Sequence, residues 1–152
     1  FAPKMKQEQH IARLRQCDLV LDPWPYGGHT TTGDALFAGV PVIALEGTNF
    51  ASRVSGGLLC AAGLAQLVQP NLDAYVTCAV QLLQQPAVLQ RMKRHLLTNR
   101  AKLPVFDAPT RTRQLEAAYA TAYQRALKGL SPDHLTVRAN AKERKVAAVK
   151  SV

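Results

Sequence analysis

Cysteine is scarce in this chain. Cys17, Cys60 and Cys78 are the only three, far apart and odd in number. No CxxC pair occurs, which argues against a zinc site and against a disulfide framework. Each cysteine sits among apolar residues, so buried, reduced thiols in a cytosolic protein are expected. Aromatic residues are also few, at 6%. Basic residues are not interleaved with them, which argues against a stacking platform for single-stranded nucleic acid. No apolar run approaches the roughly 20 residues of a membrane span, and no secretory leader is recognisable. Acids are outnumbered, 10 Asp+Glu against 19 Lys+Arg, for a net charge of +9. That balance fits nucleic acid, a membrane surface or an anionic small molecule. The tail carries much of it, through Arg138, Lys142, Arg144, Lys145 and Lys150 against only Asp133 and Glu143. Walker-type Gly-Lys-Ser/Thr and GxGxxG are both missing, which removes two common nucleotide loops.

What is there suits one domain or part of a larger one: 152 residues, 47% of them hydrophobic. The chain opens Phe1-Ala2-Pro3 without an initiating Met, and a segment of a longer protein is expected. No internal repeat is visible. Gln7 to Arg15 predicts a short helix. Asp18 to Asp22 is a short apolar run bounded by acids, which suits a buried parallel strand. Pro23, Pro25, Gly27 and Gly28 then force a loop. A helix is predicted from the Thr30–Thr32 region to a stop at Gly39, and a second buried strand over Pro41 to Leu45. Ala51 to Ala62 reads as a helix with Val54, Leu58 and Ala61 inward, and Leu64 to Val68 as a short strand. Asn71 caps a helix whose stripe is Leu72, Tyr75, Val76, Ala79 and Leu83. Pro86 opens another, with Leu89, Met92 and Leu96. Thr110 to Leu127 forms the last, with Leu115, Tyr119, Ala122 and Ala126. From Ser131 apolar spacing is lost, and a mostly disordered tail is expected. Alternating strands and helices give an α/β, doubly wound unit.

The informative stretch is DPWPYGGHTTTGDALFAGVPVIAL, Asp22 to Leu45. Its loop lies at the carboxyl end of a strand, where open α/β sheets bind ligands. Gly27 and Gly28 admit close approach of a ligand to the backbone. His29, Thr30 and Thr31 then offer free N–H groups and hydroxyls at a helix start, a setting that favours phosphate. Asp34, one turn on, is placed to accept from ribose hydroxyls. Pattern alone leaves a second reading open, in which Thr30 caps the helix and Asp34 is a solvated acid. A lone His29 reads as structural. Ser52 and Arg53 open a helix near this edge, and Arg53 is within reach of an anion there or simply packs. His95 is expected on an exposed basic face with Arg91, Lys93 and Arg94, while Trp24 and Tyr26 read as loop packing.

The run GGHTTTGDALFAGVPVIALEGTNFASRVSGGLL, with FAPK and QHIARLRQCDLVLD before it and SPDHL after it, resembles the C-terminal catalytic half of the protein O-GlcNAc transferase and SPINDLY family. The likeness covers Phe1 to about Leu135, and the PWPYGG loop is of bacterial type. It implies the Rossmann-like C-terminal half of a GT-B glycosyltransferase, followed by C-terminal helices. Residues 1–130 would be the nucleotide-sugar half and 131–152 a basic tail. By position, the resemblance assigns the Ala2 backbone and Arg13 to uracil, and His10 to the base or sugar. Lys4 and Asp34 fall to the ribose, and His29, Thr30 and Thr31 to the diphosphate. The implied chemistry is electrostatic stabilisation of departing UDP, without a metal or other cofactor. The spacing from Lys4 to His10 exceeds that of the animal enzymes. The family's N-terminal catalytic half, its donor-contacting lysine and its acceptor-selecting tetratricopeptide repeats do not occur in this sequence. No catalytic residue is therefore assigned within it, and turnover by this chain alone is not expected.

The implied activity is transfer of N-acetylglucosamine from UDP-GlcNAc to Ser/Thr hydroxyls of proteins, and a cytoplasmic location is expected. The alternatives are an O-fucosyltransferase using GDP-fucose, or a non-catalytic module whose basic tail binds nucleic acid. The last of these is the least favoured, and no membrane association is expected.

Overall fold

Parallel strands cannot be joined by tight turns, so each pair needs a crossover. This chain supplies helices for that purpose. The computed structural model describes residues 3–137. Strands β1 (Val20–Leu21), β2 (Val42–Leu45) and β3 (Val68–Gln69) form a parallel sheet in the order β1-β2-β3. Val20 lies opposite Val42, and Ala44 opposite Val68. Helix α1 (Gln7–Leu14) precedes the sheet, α2 (Thr30–Ala38) links β1 to β2, and α3 (Phe50–Ala61) links β2 to β3. Helices α4 (Leu72–Gln84), α5 (Pro86–Asn99) and α6 (Ala108–Leu127) follow.

The core gathers around β2, whose Val42, Ile43 and Ala44 are wholly buried. Leu36 from α2, Leu59 from α3 and Leu96 from α5 close over it. Each buried leucine contributes about 1.5–3 kcal/mol relative to exposure. Gly39 ends α2 as expected, with φ +86°. A side chain would be strained at that φ and would also strike Leu97, 2.6 Å from an added Cβ.

Several expectations need correction. The apolar run before Asp22 pairs only over Val20–Leu21, and Leu21 is 55% exposed. Among the described residues β1 pairs with β2 alone, one neighbour instead of two. Only the end of the predicted Leu64–Val68 strand is extended, because Ala65–Leu67 is a 3-10 turn. Leu64 and Leu67 are both buried. A strand would send them to opposite faces, whereas residues three apart eclipse in a 3-10 turn. Helix α3 buries Ser52, Ser55 and Leu59 rather than Val54, Leu58 and Ala61. It is rotated by about one residue because its serines have hydrogen-bond partners inside. On α4, Ala79 and Leu82 are buried while Leu72, Val76 and Leu83 face out. The α5 stripe of Leu89, Met92 and Leu96 packs inward as expected. Helix α6 buries no residue, and Leu115 and Tyr119 are exposed.

The cysteines are not the buried set expected: Cys17 and Cys60 are exposed, and Cys78 is half-buried. Partial burial pushes the Cys78 thiol up. His95 is not on an exposed face, since its Nε2 lies 3.0 Å from the Ala62 carbonyl and joins α5 to the end of α3. Lys93 donates to the Cys17 carbonyl at 2.8 Å and pairs with Asp18 at 3.2 Å, fastening α5 to the approach to β1. Residues 131–137 hold no helix or strand, yet Arg125 donates to the Ser131 carbonyl and pairs with Asp133. The rest of the expected disordered tail, with its basic cluster, lies outside the described residues. Among the described residues no helix is long and apolar enough to cross a membrane.

Candidate functional site

All three strands point the same way, so the loops that leave β1 and β2 emerge at one edge. The loop after β1 leads into α2, and the loop after β2 leads into α3. Their meeting builds the candidate site.

Helix α2 begins one residue earlier than a Thr30 cap would place it. The N-cap is His29, its side chain makes no capping bond, and the first turn holds no acid. Thr30 and Thr31 are exposed beside it, while Thr32 is turned inward. The first N–H groups of a helix have no intrahelical acceptor, and here the cap supplies none. An anion at this point meets those N–H groups, two threonine hydroxyls and the positive end of the helix dipole.

A second group lies on the seam between α1 and α2. Asp34 accepts from Gln7 Nε2 at 3.0 Å, and its other oxygen is 3.7 Å from His10 Nε2. His10 Nδ1 lies 3.0 Å from Arg13 Nη2. Arginine only donates, so His10 Nδ1 accepts there, and Nε2 carries the proton that faces Asp34. Arg13 also donates to the Pro3 carbonyl at 3.4 Å. His10, Arg13 and Asp34, distant in sequence, thus form one chain of polar contacts. Asp34 is therefore not the freely solvated acid of the second reading. Lys4 is exposed, and among the described residues it makes no hydrogen bond or ion pair that would bring it to Asp34. Ala2 lies outside the described residues.

Aromatic rings rim the other side. Tyr26 stacks on His29 with centroids 5.4 Å apart, and Phe50 meets it edge-on at 5.7 Å. His29 Nε2 also lies 3.4 Å from the Ala51 carbonyl. Tyr26 is 67% and Phe50 79% exposed, and Trp24 is exposed as well. Tyr26 thus packs, on the His29 ring, as expected, while Trp24 is largely exposed instead. Arg53 is exposed, and among the described residues it binds nothing.

Sequence reasoning missed Gln7, Phe50 and a set behind the loop: buried Asp22, Thr32 and Ser55, with half-buried Tyr75. None of the buried three carries a sequence signal beyond the place of Asp22 at the head of the loop that follows β1.

Comparison with known proteins identifies the family. Residues 1–115 match the family described as glycosyl transferase family 41. The chain is 36% identical over 123 residues to a Hordeum vulgare protein named probable UDP-N-acetylglucosamine–peptide N-acetylglucosaminyltransferase SPINDLY. That match covers 81% of this chain and 13% of the relative. It is 33% identical over 141 residues to the Arabidopsis thaliana protein SEC, which has the same enzyme name, over 92% of this chain and 14% of that one. Among solved structures it is similar to a K341M mutant of the Thermobaculum terrenum O-GlcNAc transferase. The TM-score is 0.78 at 32% identity, covering 85% of this chain and 25% of the other. The chain thus spans a small part of the length of the relatives it matches. Its fold is the Rossmann-like half of a GT-B glycosyltransferase. By the extent of these matches, the chain belongs to glycosyl transferase family 41.

Proposed function

We propose that this chain is the donor-binding part of a glycosyltransferase that moves N-acetylglucosamine from UDP-GlcNAc to Ser/Thr hydroxyls of proteins. One observation carries the reading: Asp34, which meets His10 of α1, lies one helical turn from the uncapped start of α2. A nucleoside diphosphate needs both, donors for the diphosphate and an acceptor for a ribose hydroxyl. Ala2, Lys4, His10 and Arg13 address the nucleoside and ribose together with Asp34. His29, Thr30 and Thr31 hold the diphosphate. Donors fixed in place before the reaction stabilise the charge that develops on departing UDP. This cradle works through N–H groups and hydroxyls, so the proposal includes no metal. Acceptor selection belongs to a tetratricopeptide region outside this chain, and the site of action is the cytoplasm.

Calorimetric titration with UDP tests the site. Asp34→Ala is expected to weaken binding about tenfold or more, the worth of hydrogen bonds to a charged group. Thr31→Ala weakens it less, and EDTA leaves it unchanged. Unaltered affinity in Asp34→Ala and Thr31→Ala would show the assignment to be wrong. Mass spectrometry of modified acceptor protein tests the donor. A HexNAc shift supports the reading, and a deoxyhexose shift replaces it with fucosyl transfer.

A further inference from the structure

Asp22 is only 8% exposed, and carboxylates rarely go inside without partners. Its Oδ1 accepts from the Gly28 N–H at 2.8 Å and from the Thr32 hydroxyl at 3.2 Å. The Ser55 hydroxyl donates to the Gly28 carbonyl at 2.5 Å. That contact uses the only proton on Ser55, so at its 3.0 Å contact with Thr32 the serine can only accept. The Thr32 proton is thus shared between Asp22 and Ser55. Gly28 is held at both its N–H and its carbonyl, and it sits immediately before His29, the N-cap of α2. From the far side, Tyr75 of α4 donates to the Asp22 carbonyl at 3.0 Å. Burial, with the Asp22 charge beside it, pushes the Tyr75 phenol up, so it remains a donor at neutral pH.

We infer that Asp22 is a positioning residue for the diphosphate cradle, acting with Thr32 and Ser55 to fix the Gly28 peptide and hence the direction in which α2 begins. This inference rests on the UDP reading above. None of the three needs to touch the ligand. Supporting groups of this kind decide whether donors are preorganised or must be ordered during binding. The network also ties the end of β1 to α2, α3 and α4, so the cradle is referenced to the sheet rather than to the loop alone.

The test compares UDP with uridine, which lacks the diphosphate, by competition against a fluorescent UDP in the protein and its variants. Thr32→Val removes the hydroxyl at constant shape and is expected to weaken UDP about tenfold, the lower end of what loss of a supporting group costs at metal sites. Uridine affinity stays unchanged. Thr32→Ser restores UDP binding, and Asp22→Asn and Ser55→Ala shift the UDP-to-uridine ratio in the same direction as Thr32→Val. A purely structural role would lower both affinities together with the melting temperature. If the unaltered protein binds UDP and Asp34→Ala weakens it, but Thr32→Val leaves the ratio unchanged, this inference alone is overturned. If the unaltered protein does not bind UDP, the site reading falls and the inference with it.

Discussion

An added Cβ on Gly28 would fall 2.5 Å from Thr32 Oγ1, 2.7 Å from Thr31 Oγ1 and 2.8 Å from Asp22 Oδ1. Thr32 and Asp22 are held by their own hydrogen bonds, so neither can retreat cheaply. Gly28→Ala is expected to cost about 1–3 kcal/mol, as overpacking of a filled site does. Urea unfolding monitored by circular dichroism measures it, and an unchanged midpoint would contradict the crowding argument. Much of the exposed side of the site was legible residue by residue. Thr30, Thr31 and Asp34 announced themselves by type and by position after a glycine turn. Asp22, Thr32 and Ser55 did not. A buried polar side chain looks like any solvated one until its partner arrives, and Ser55 lies 27 residues from the Gly28 carbonyl it meets.

Among the elements, α2 and α5 were the most legible, because each has a stop or a start written into it, Gly39 and Pro86. The faces of α3 and α4 were misjudged. Apolar periodicity assumes that the buried face is the greasy one, and α3 instead buries two serines while α4 leaves Leu72, Val76, Val80 and Leu83 outside. Helix α6 depends on its first turn. Asp107 accepts from the Thr110 N–H at 3.0 Å. Hydrogen bonds from the Thr110 side chain and backbone hold its carboxyl below the usual range, with Arg113 assisting. A lowered folded-state value means that the cap stabilises above the ordinary aspartate range and is lost as pH falls through the depressed value. Helicity at 222 nm should therefore drop at strongly acid pH. Asp107→Ala should begin with less helix at neutral pH and lack that acid step. An identical acid profile in the variant would remove Asp107 as the cause.

For the whole molecule, the parallel sheet explains why one edge collects the chemistry, and strands alternating with helices made that readable in advance. Less readable was how unevenly the chain is consolidated. The core from β1 to α5 is filled with wholly buried leucines, whereas α6 buries nothing and has the Pro104–Phe106 turn as its main contact. Within the described residues, limited trypsin treatment should cut in α6, at Arg111 or Arg113, before it cuts the preceding core, because regions with few buried contacts open most readily. Cleavage spread evenly along the chain would contradict that division. Helix α1 is held differently from the core. It has no fully buried residue, yet it packs along α2 more extensively than any other two elements meet, with Gln7, His10 and Asp34 as its polar ties. A ligand that bridges Asp34 and α1 would therefore tighten a seam made of partly buried side chains. The affinity measured for such a ligand would be a net quantity, contact energy less the entropy of keeping α1 in place.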